Sequence, residues 1–349
     1  MPDYTEKNTK ITFNNLLKDY KIYAPVKQPG AGRLSSTDLI TYDYVSSLAE
    51  IVFDEKTYFS PKAVLFPTRE TMYVSRETMY VSKNGSLTDS LEKTEQEIPI
   101  TILFLRSCDI HALKVLDTMF LKNGNFEDPY YKKRRENIRI FLLECPEAFE
   151  TCFCVSMNTN QTQDYSVFLK KEKNGYSVKV QDQEFAKYFP DNVTEEVEPR
   201  FCQKDSPSEK TKVTIPKNID TEIFKHPLWD EYSARCIACG RCNTSCPTCT
   251  CFSVQSVPDK DEPGVMNRKR IWSSCQIEDF SRLAGDHKFR KSVGDRMRYK
   301  VLHKVHDFEK RNGFSMCVGC GRCDDVCPEY ISMQKSIHKI NEVTAQEMK

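Results

Sequence analysis

Two cysteine runs in the last third of this chain constrain its structure more than any other feature. Each run has the spacing C-x2-C-x2-C-x3-C-P, and the cysteines are Cys236, Cys239, Cys242 and Cys246 in the first and Cys317, Cys320, Cys323 and Cys327 in the second. Three thiolates spaced by two residues wrap one face of an iron–sulfur cubane, while the fourth points away and ligates the neighbouring cluster. The spacing therefore predicts two 4Fe-4S clusters that exchange their fourth ligands.

This rule assigns one cluster to Cys236, Cys239, Cys242 and Cys327, and the other to Cys246, Cys317, Cys320 and Cys323. Gly240 and Gly321 lie inside the runs and allow each loop to fold close to its cluster. A zinc site would use four ligands in paired knuckles rather than two complete runs that each end in Cys-Pro. The pattern thus favours iron–sulfur chemistry over zinc or disulfides.

The composition indicates a soluble protein of a reducing compartment. The chain has 349 residues, with 51 basic and 50 acidic side chains, so no net charge attracts nucleic acid or a membrane surface. No apolar segment resembles a signal peptide or is long enough to span a bilayer. Sixteen cysteines in such a protein indicate metal or redox chemistry more than disulfides. We therefore expect a cytoplasmic location, with no nucleic-acid or membrane partner.

Residues 1–215 are predicted to form an α/β domain, which makes the fold class α+β. Apolar spacing predicts helices over residues 39–55 and 110–121, strands over residues 99–105 and 137–143, and a hairpin centred on Asn174-Gly175. A strand, a helix and a second strand at this spacing indicate a crossover with the two strands parallel.

Residues 216–349 are predicted to form a bacterial-type ferredoxin domain with two 4Fe-4S clusters. Seventy residues separate Cys246 from Cys317, and we expect a large helical insertion over residues 253–312. Residues 266–312 carry 13 Lys or Arg against 6 Asp or Glu. Nearby cations would raise the reduction potential of a cluster. A solvated helical face or a docking surface for a partner is the alternative interpretation.

Four cysteines of the N-terminal domain form a candidate third cluster site. Cys108 and Cys145 follow the two predicted parallel strands, and Cys152 and Cys154 lie in the next loop. The carboxyl ends of parallel strands meet at one edge of a sheet, where α/β folds place ligands. Buried inert thiols are the competing interpretation, as they are for Cys249, Cys251 and Cys275 beside the runs.

No catalytic motif accompanies these cysteines. The chain has no G-x-G-x-x-G after a predicted strand, no HExxH, no Walker loop and no ordered Ser/His/Asp set. We therefore expect no catalytic residue and no cofactor besides the clusters, so that chemistry belongs to a partner.

Several motifs resemble those of one family. The segments RSCDIHALKVLD at residue 106, TCFCVSM at residue 151, CPTCTCF at residue 246 and CVGCGRCDDVCP at residue 317 occur in the order found in the iron–sulfur electron-transfer subunit of anaerobic sulfite reductase. DPYYKKRRE at residues 128–136 belongs to the same series. The beta subunit of soluble sulfhydrogenases is similar in plan. A tandem RETMYVS at residues 69–75 and 76–82 departs from the pattern.

The resemblance implies a non-catalytic iron–sulfur subunit of a cytoplasmic, NADH-dependent sulfite reductase. It would receive electrons from a flavin-containing subunit that binds NADH, and pass them to a sirohaem-containing subunit that reduces sulfite to sulfide. The alternative is the equivalent beta subunit of a nickel–iron sulfhydrogenase with hydrogen as donor. A third hypothesis, from another class, is a zinc-containing module that binds nucleic acid through the basic insertion.

Overall fold

A computed structural model describes residues 6–32, 36–76, 91–92, 97–173, 175–189, 197–206, 212–216 and 219–347. The described strands are β1 (Lys21–Gln28), β2 (Leu39–Tyr44), β3 (Arg69–Arg76), β4 (Leu91–Glu92), β5 (Thr101–Leu105), β6 (Ile138–Leu143), β7 (Val167–Glu172), β8 (Gly175–Val180), β9 (Phe252–Pro258) and β10 (Val265–Trp272). The described helices are α1 (Glu6–Asp19), α2 (Ser107–Leu121), α3 (Pro129–Glu136), α4 (Asp230–Arg235), α5 (Arg241–Ser245), α6 (Val293–Leu302), α7 (Phe308–Asn312), α8 (Arg322–Asp325) and α9 (Met333–Glu347). A π-helical turn, His303–Asp307, joins α6 to α7.

The N-terminal part contains a six-stranded sheet in the order β2-β1-β5-β6-β7-β8. Strands β1, β5, β6 and β7 are parallel to their neighbours in this series, while β2 and β8 are antiparallel at the two edges. The predicted parallel pair of strands, the helix between them and the hairpin that follows are confirmed as β5, α2, β6 and β7–β8. The mixture of helices and strands along the chain agrees with the α+β class.

The centre of this sheet is buried on both faces. All five residues of β5 are buried. Ile102 and Phe104 pack into one apolar cluster with α1, and Leu103 and Leu105 pack into another with α2. Alternate residues of a strand point to opposite faces, so this division follows directly from the period of two. A parallel strand covered on both sides reads as a continuous apolar run, which is why TILFL was recognisable.

The helix predicted over residues 39–55 is wrong. Residues 39–44 form the edge strand β2, and only a single 3-10 turn, Leu48–Glu50, follows. The register of β2 against β1 pairs Tyr42 with Pro25 and Ile40 with Lys27. Apolar residues at alternate positions of a half-buried edge strand coincide over a few residues with helical spacing, so local pattern did not separate the two.

A second sheet joins the N-terminal part to the insertion between the cysteine runs. Its order is β4-β3-β10-β9, with β10 antiparallel to both β3 and β9. The prediction of a helical insertion over residues 253–312 is therefore wrong for residues 253–272, which form a hairpin, while α6, α7 and the π turn confirm helix nearer its end. The first RETMYVS copy lies in β3, and residues 77–82 of the second lie outside the described residues.

A buried ionic group joins this second sheet to α3. Arg270 of β10 is 1% exposed and donates to Glu70 of β3 at 2.6 Å, and it also pairs with Asp128 at the start of α3. Arg134 pairs with the second oxygen of Glu70. Buried charges are tolerated when each has a partner.

Whether residues 1–215 and 216–349 are separate domains stays a prediction.

The second cysteine run packs directly on the loop that contains Cys152 and Cys154. A Cβ atom added to Gly319 would lie 2.5 Å from the carbonyl oxygen of Phe153, and one added to Gly321 would overlap that of Thr151. Both glycines have positive φ, +64° and +68°. Only glycine fits such a close backbone approach in a left-handed conformation. The two parts of the chain are therefore in contact through main-chain atoms.

An ion pair with almost no solvent access supports the same contact. Arg322 of α8 binds both carboxylate oxygens of Asp109 at the start of α2, at 2.6 and 2.9 Å, and the two side chains are 2% and 0% exposed. The guanidinium also donates to Thr57. A bidentate pair fixes orientation as well as charge.

Within the described residues, no helix has the length and apolar character needed to cross a membrane.

We expect Gly321→Ala to destabilise the protein more than Gly313→Ala. Both glycines have positive φ, but nothing lies within 4 Å of a Cβ at Gly313. The left-handed conformation costs both variants about 1–2 kcal/mol. Overlap with Thr151 should cost Gly321→Ala about 1–3 kcal/mol more. Anaerobic denaturant unfolding of the iron-loaded protein measures the difference, and equal losses for the two variants would contradict the packing described here.

Candidate metal centre

The two cysteine runs have the same local conformation. In the first run Ala238 and Gly240 have φ of +56° and +75°, and the equivalent Gly319 and Gly321 of the second run have +64° and +68°. The short helices α5 and α8 then begin immediately after Gly240 and Gly321. Two left-handed residues in each loop turn its three cysteines inward. Ala238 adopts this conformation although a Cβ disfavours it, so the loop shape is imposed by its surroundings.

One set of thiols surrounds a cavity. Its lining cysteines are Cys236, Cys239, Cys242, Cys323 and Cys327. Four of these are the first three cysteines of the first run and the last cysteine of the second. The predicted first ligand set is thus brought together at one cavity. Cys239 is exposed at its mouth, whereas Cys236, Cys242 and Cys327 are partly buried.

The other set gathers around Cys246. Burial is the main cause that raises the pKa of Cys317, Cys320 and Cys323, and the negative charge of Cys246 raises it further in all three. The fourth cysteine of the first run therefore lies among the first three of the second. This is the arrangement that exchanged ligands require.

Three buried lysines lie against these thiols. Lys62, Lys300 and Lys304 are 3%, 6% and 5% exposed. The Nζ of Lys304 lies 3.3 Å from the Sγ of Cys246, and that of Lys62 donates to the carbonyl oxygens of Asn243 and Cys249. None of the three pairs with a carboxylate in the described part of the chain. Burial outweighs the nearby cysteines at Lys62 and lowers its pKa. A buried charge without a partner is strongly unfavourable, so Lys300 and Lys304 in particular require anions beside them.

The anions available are thiolates. Burial alone would lower the pKa of Lys300, but the thiolates of Cys242 and Cys323 outweigh it and raise that pKa well above its usual value. Cys246 and Cys249 do the same for Lys304. A 4Fe-4S cubane with four thiolate ligands carries net negative charge. Lys300 interacts with one thiol from each set, so a single cation is shared between the two.

The π turn contains Lys304 and is hydrogen-bonded to the residues that precede the second run. Lys300 and Lys304 are four residues apart and lie on the same side of the helical segment that begins at α6. The carbonyl oxygen of Lys304 accepts hydrogen bonds from the backbone N–H of Met316 and the hydroxyl of Ser315. A π turn interrupts the regular hydrogen bonds of an α-helix, and such turns are frequent at functional sites. The basic residues of the insertion therefore fit both interpretations given above. Lys300 and Lys304 lie beside the cysteines, whereas Lys291 is exposed to solvent.

Three further cysteines lie beside the two sets. Hydrogen bonds from Cys251, Asn243 and Gln276 lower the pKa of the Cys275 thiol, with the Nδ2 of Asn243 at 3.2 Å from its Sγ. Cys249 is hydrogen-bonded to Cys246 and is buried. The sequence predicts inert packing for these thiols, and the hydrogen bonds to Cys275 were not foreseeable because Asn243 and Cys275 are distant in the chain.

The N-terminal thiols are only partly arranged as predicted. Cys145, Cys152 and Cys154 lie together, but the thiol in contact with Cys154 is Cys202, at 3.6 Å between the sulfur atoms. Cys108 instead packs with Ala112, Val318 and Cys320. Cys202 was missed because it begins a polar stretch that favours a linker. Its presence next to an aromatic residue, in Phe201-Cys202, was the only available signal.

Among the described residues, no group of three or more His, Cys, Asp and Glu side chains is arranged to hold a metal ion. The ligands of a cubane are arranged differently from those of a single ion, because its four thiolates bind four separate iron atoms. The cavity, the matching loops and the unpaired buried lysines together fit a thiolate-bound cluster in each set. When bound, each cluster would accept and donate one electron at a time.

Comparison with known proteins supports this fit. Residues 235–331 match a 4Fe-4S dicluster domain family. The sequence is 30% identical to the sulfhydrogenase 2 subunit beta of Pyrococcus furiosus, in an alignment of 349 positions that covers 95% of each chain. No solved structure matches. The predicted pair of 4Fe-4S clusters is thereby confirmed, and the matched domain contains both cysteine runs.

We expect Lys300→Met to lower the reduction potentials of the clusters. Loss of a buried cation removes stabilisation of the more negative, reduced state, by on the order of 100 mV for a charge about 6 Å away at moderate dielectric. Redox titration followed by electron paramagnetic resonance measures the potentials. Lys291→Met is the matched control because Lys291 is exposed just before α6. An equal shift in both variants, or a rise in Lys300→Met, would contradict the charge-balance argument.

Proposed function

This chain belongs to the family of the sulfhydrogenase beta subunit, and we propose that it is the electron-transfer subunit of a sulfhydrogenase-type complex. It is an iron–sulfur electron-transfer subunit with two 4Fe-4S clusters. The observation that carries the proposal is the match to that subunit along 95% of both chains, which includes the N-terminal part as well as the clusters. The assignment to anaerobic sulfite reductase is not confirmed, and the sulfhydrogenase alternative fits better.

The proposed ligands follow from the two thiol sets. Cys236, Cys239, Cys242 and Cys327 hold the first cluster, and Cys246, Cys317, Cys320 and Cys323 hold the second. The cavity shared by the first set and the position of Cys246 among the second set support this exchange. Lys62, Lys300 and Lys304 balance the charge, and Lys300 does so for both clusters.

Electrons are proposed to enter or leave at the exposed edge of the first set. Cys239 is exposed there, and Ile237 and Tyr330 beside it are 60% and 76% exposed. Exposed apolar side chains beside a redox centre suit a partner subunit whose own centre must approach closely. The second set is more enclosed, since Cys320 is buried under the N-terminal part.

Catalysis is proposed to lie on a partner. In a sulfhydrogenase-type complex hydrogen is the electron donor, and its oxidation requires a nickel–iron subunit. In the sulfite reductase alternative, favoured by the motif series from RSCD to CPTCTCF, the partners would be a flavin-containing and a sirohaem-containing subunit. The identity of these partners separates the two functions.

Purification of the tagged chain under anaerobic conditions from its own cells tests the function. We expect co-purifying nickel and hydrogen-dependent reduction of the clusters, with no sirohaem. Sirohaem with sulfite-dependent cluster oxidation would replace the proposal by sulfite reduction. Zinc without iron or acid-labile sulfide would exclude an electron-transfer role.

Paired alanine substitutions test the exchange of ligands. Cys327→Ala alone should remove about four irons. Adding Cys239→Ala should remove no more, because both ligands serve the same cluster, whereas adding Cys320→Ala should remove about eight in all. If each run held its own cluster, the two double variants would give the reverse result. Iron and sulfide counting on the anaerobic protein is the measurement.

A further inference from the structure

Four thiols of the N-terminal part lie within reach of one another, outside both ferredoxin-type runs. They are Cys145, Cys152, Cys154 and Cys202. Cys202 is hydrogen-bonded to Cys145 and lies 3.6 Å from Cys154, measured between sulfur atoms. A negative charge on Cys145 would act on the thiols of Cys152 and Cys154, and one on Cys152 would act on those of Cys154 and Cys202. The four thiols therefore lie close to one another.

The backbone brings these four residues together from three segments. Cys145 follows β6 and forms an isolated parallel bridge with Phe201, and the N–H of Cys202 donates to the carbonyl oxygen of Cys145 at 2.7 Å. Cys152 and Cys154 lie in the loop that packs on the second run. Cys152, Cys154 and Cys202 are 6%, 6% and 2% exposed. The group is held by main-chain contacts, and three of its members are nearly free of solvent while Cys145 is partly exposed.

A buried arginine beside this group has no carboxylate partner among the described residues. Arg106 is 6% exposed and donates to the carbonyl oxygens of Glu144, Phe53 and Glu55 at 2.8, 2.7 and 3.1 Å. The hydrogen bond to Cys202 and burial raise the pKa of the Cys145 thiol, and the nearby guanidinium of Arg106 opposes this rise. No ion pair is formed by Arg106 in the described part of the chain, although buried guanidinium groups normally have an anion. The buried lysines beside the two thiol sets of the runs show the same feature.

We propose that Cys145, Cys152, Cys154 and Cys202 bind a third 4Fe-4S cluster whose charge Arg106 balances. Thiolates are the ligands of such clusters, so the four thiols release their protons on binding. The cluster takes one electron from the neighbouring second cluster, which is oxidised as the third is reduced, and returns it by the reverse step. This inference rests on the proposed electron-transfer function and extends its route into the N-terminal part.

The third site is adjacent to the second cluster rather than the first. The Sγ of Cys152 lies 3.4 Å from the carbonyl oxygen of Cys320, a proposed ligand of the second cluster. Gly319 allows this approach because its backbone meets Phe153 directly. The route therefore runs from the exposed Cys239 edge through the two clusters of the runs to the N-terminal sheet, and it gives the complex a second point of electron exchange.

Cys202 replaces Cys108 in the predicted ligand set. Cys108 belongs to α2 and packs with Val318 and Cys320, and it interacts electrostatically with Cys152 and Cys154 as well. It therefore borders the third site. Among the described residues no hydrogen bond joins its thiol to a member of the group, whereas Cys202 contacts both Cys145 and Cys154. This difference provides a matched pair of cysteine variants for the test.

Iron and acid-labile sulfide counting on the full-length protein, purified anaerobically in its complex and then separated as the intact chain, tests the site. We expect about twelve irons in the unaltered chain, about eight in Cys202→Ala and about twelve in Cys108→Ala. Electron paramagnetic resonance of the dithionite-reduced chain should lose one cluster signal in Cys202→Ala and keep the two others.

The outcomes distinguish the site from the proposed function. About eight irons in the unaltered chain would overturn the third site and leave two clusters intact. Equal counts in Cys202→Ala and the unaltered chain, or loss of four irons in Cys108→Ala, would overturn the ligand set. If Cys202→Ala loses all iron through misfolding, Cys145→Ala decides, and retention of about twelve irons there overturns the proposal. An iron-free unaltered chain would instead contradict the electron-transfer function itself.

Discussion

Balance between buried cations and thiolate charge is the constraint on which the site depends. Lys62, Lys300 and Lys304 are buried without carboxylate partners among the described residues, and each lies against cysteines of the two runs. Three such cations would be strongly destabilising if the thiols around them were neutral. We therefore expect folding of this region to be coupled to iron–sulfur binding, as it is in other proteins whose metal site contributes folding energy. The positive charge of the lysines in turn stabilises the reduced, more negative state of each cluster.

The fold serves this balance by bringing cations and cysteines from distant segments into contact. Lys62 comes from the N-terminal part, and Lys300 and Lys304 come from the insertion, so neither part alone supplies all the counter-charges. Main-chain packing of the second run on residues 151–153, and the Arg322–Asp109 pair, hold the parts in register. The N-terminal sheet thus completes the environment of the clusters, which agrees with the similarity to the relative along 95% of the chain.

Local features were predictable from the sequence, and distant pairings were not. The cysteine runs indicate their chemistry through spacing alone. Strand β5 is fully buried, and β6 is apolar apart from Arg139, so the sequence identifies both as strands of a covered sheet. The segment of β10 lies inside the predicted helical insertion because its Arg and Lys residues are good helix formers. Its strand conformation depends on pairing with β3, where Glu70 lies 200 residues before Arg270. Burial of Lys300 among basic neighbours, and the approach of Cys202 to Cys154, depend equally on tertiary contacts.

The same charge argument connects the N-terminal thiols to the rest of the molecule. Arg106, Lys62, Lys300 and Lys304 differ in sequence context, but each is a buried cation that touches or interacts with a cysteine and has no carboxylate partner in the described residues. Arg322 shows the contrasting case, because Asp109 pairs with it directly although Arg322 lies within the second run. Where a buried cation lacks a carboxylate, the thiols beside it must carry the negative charge, and a group of four such thiols is the ligand set of a cubane.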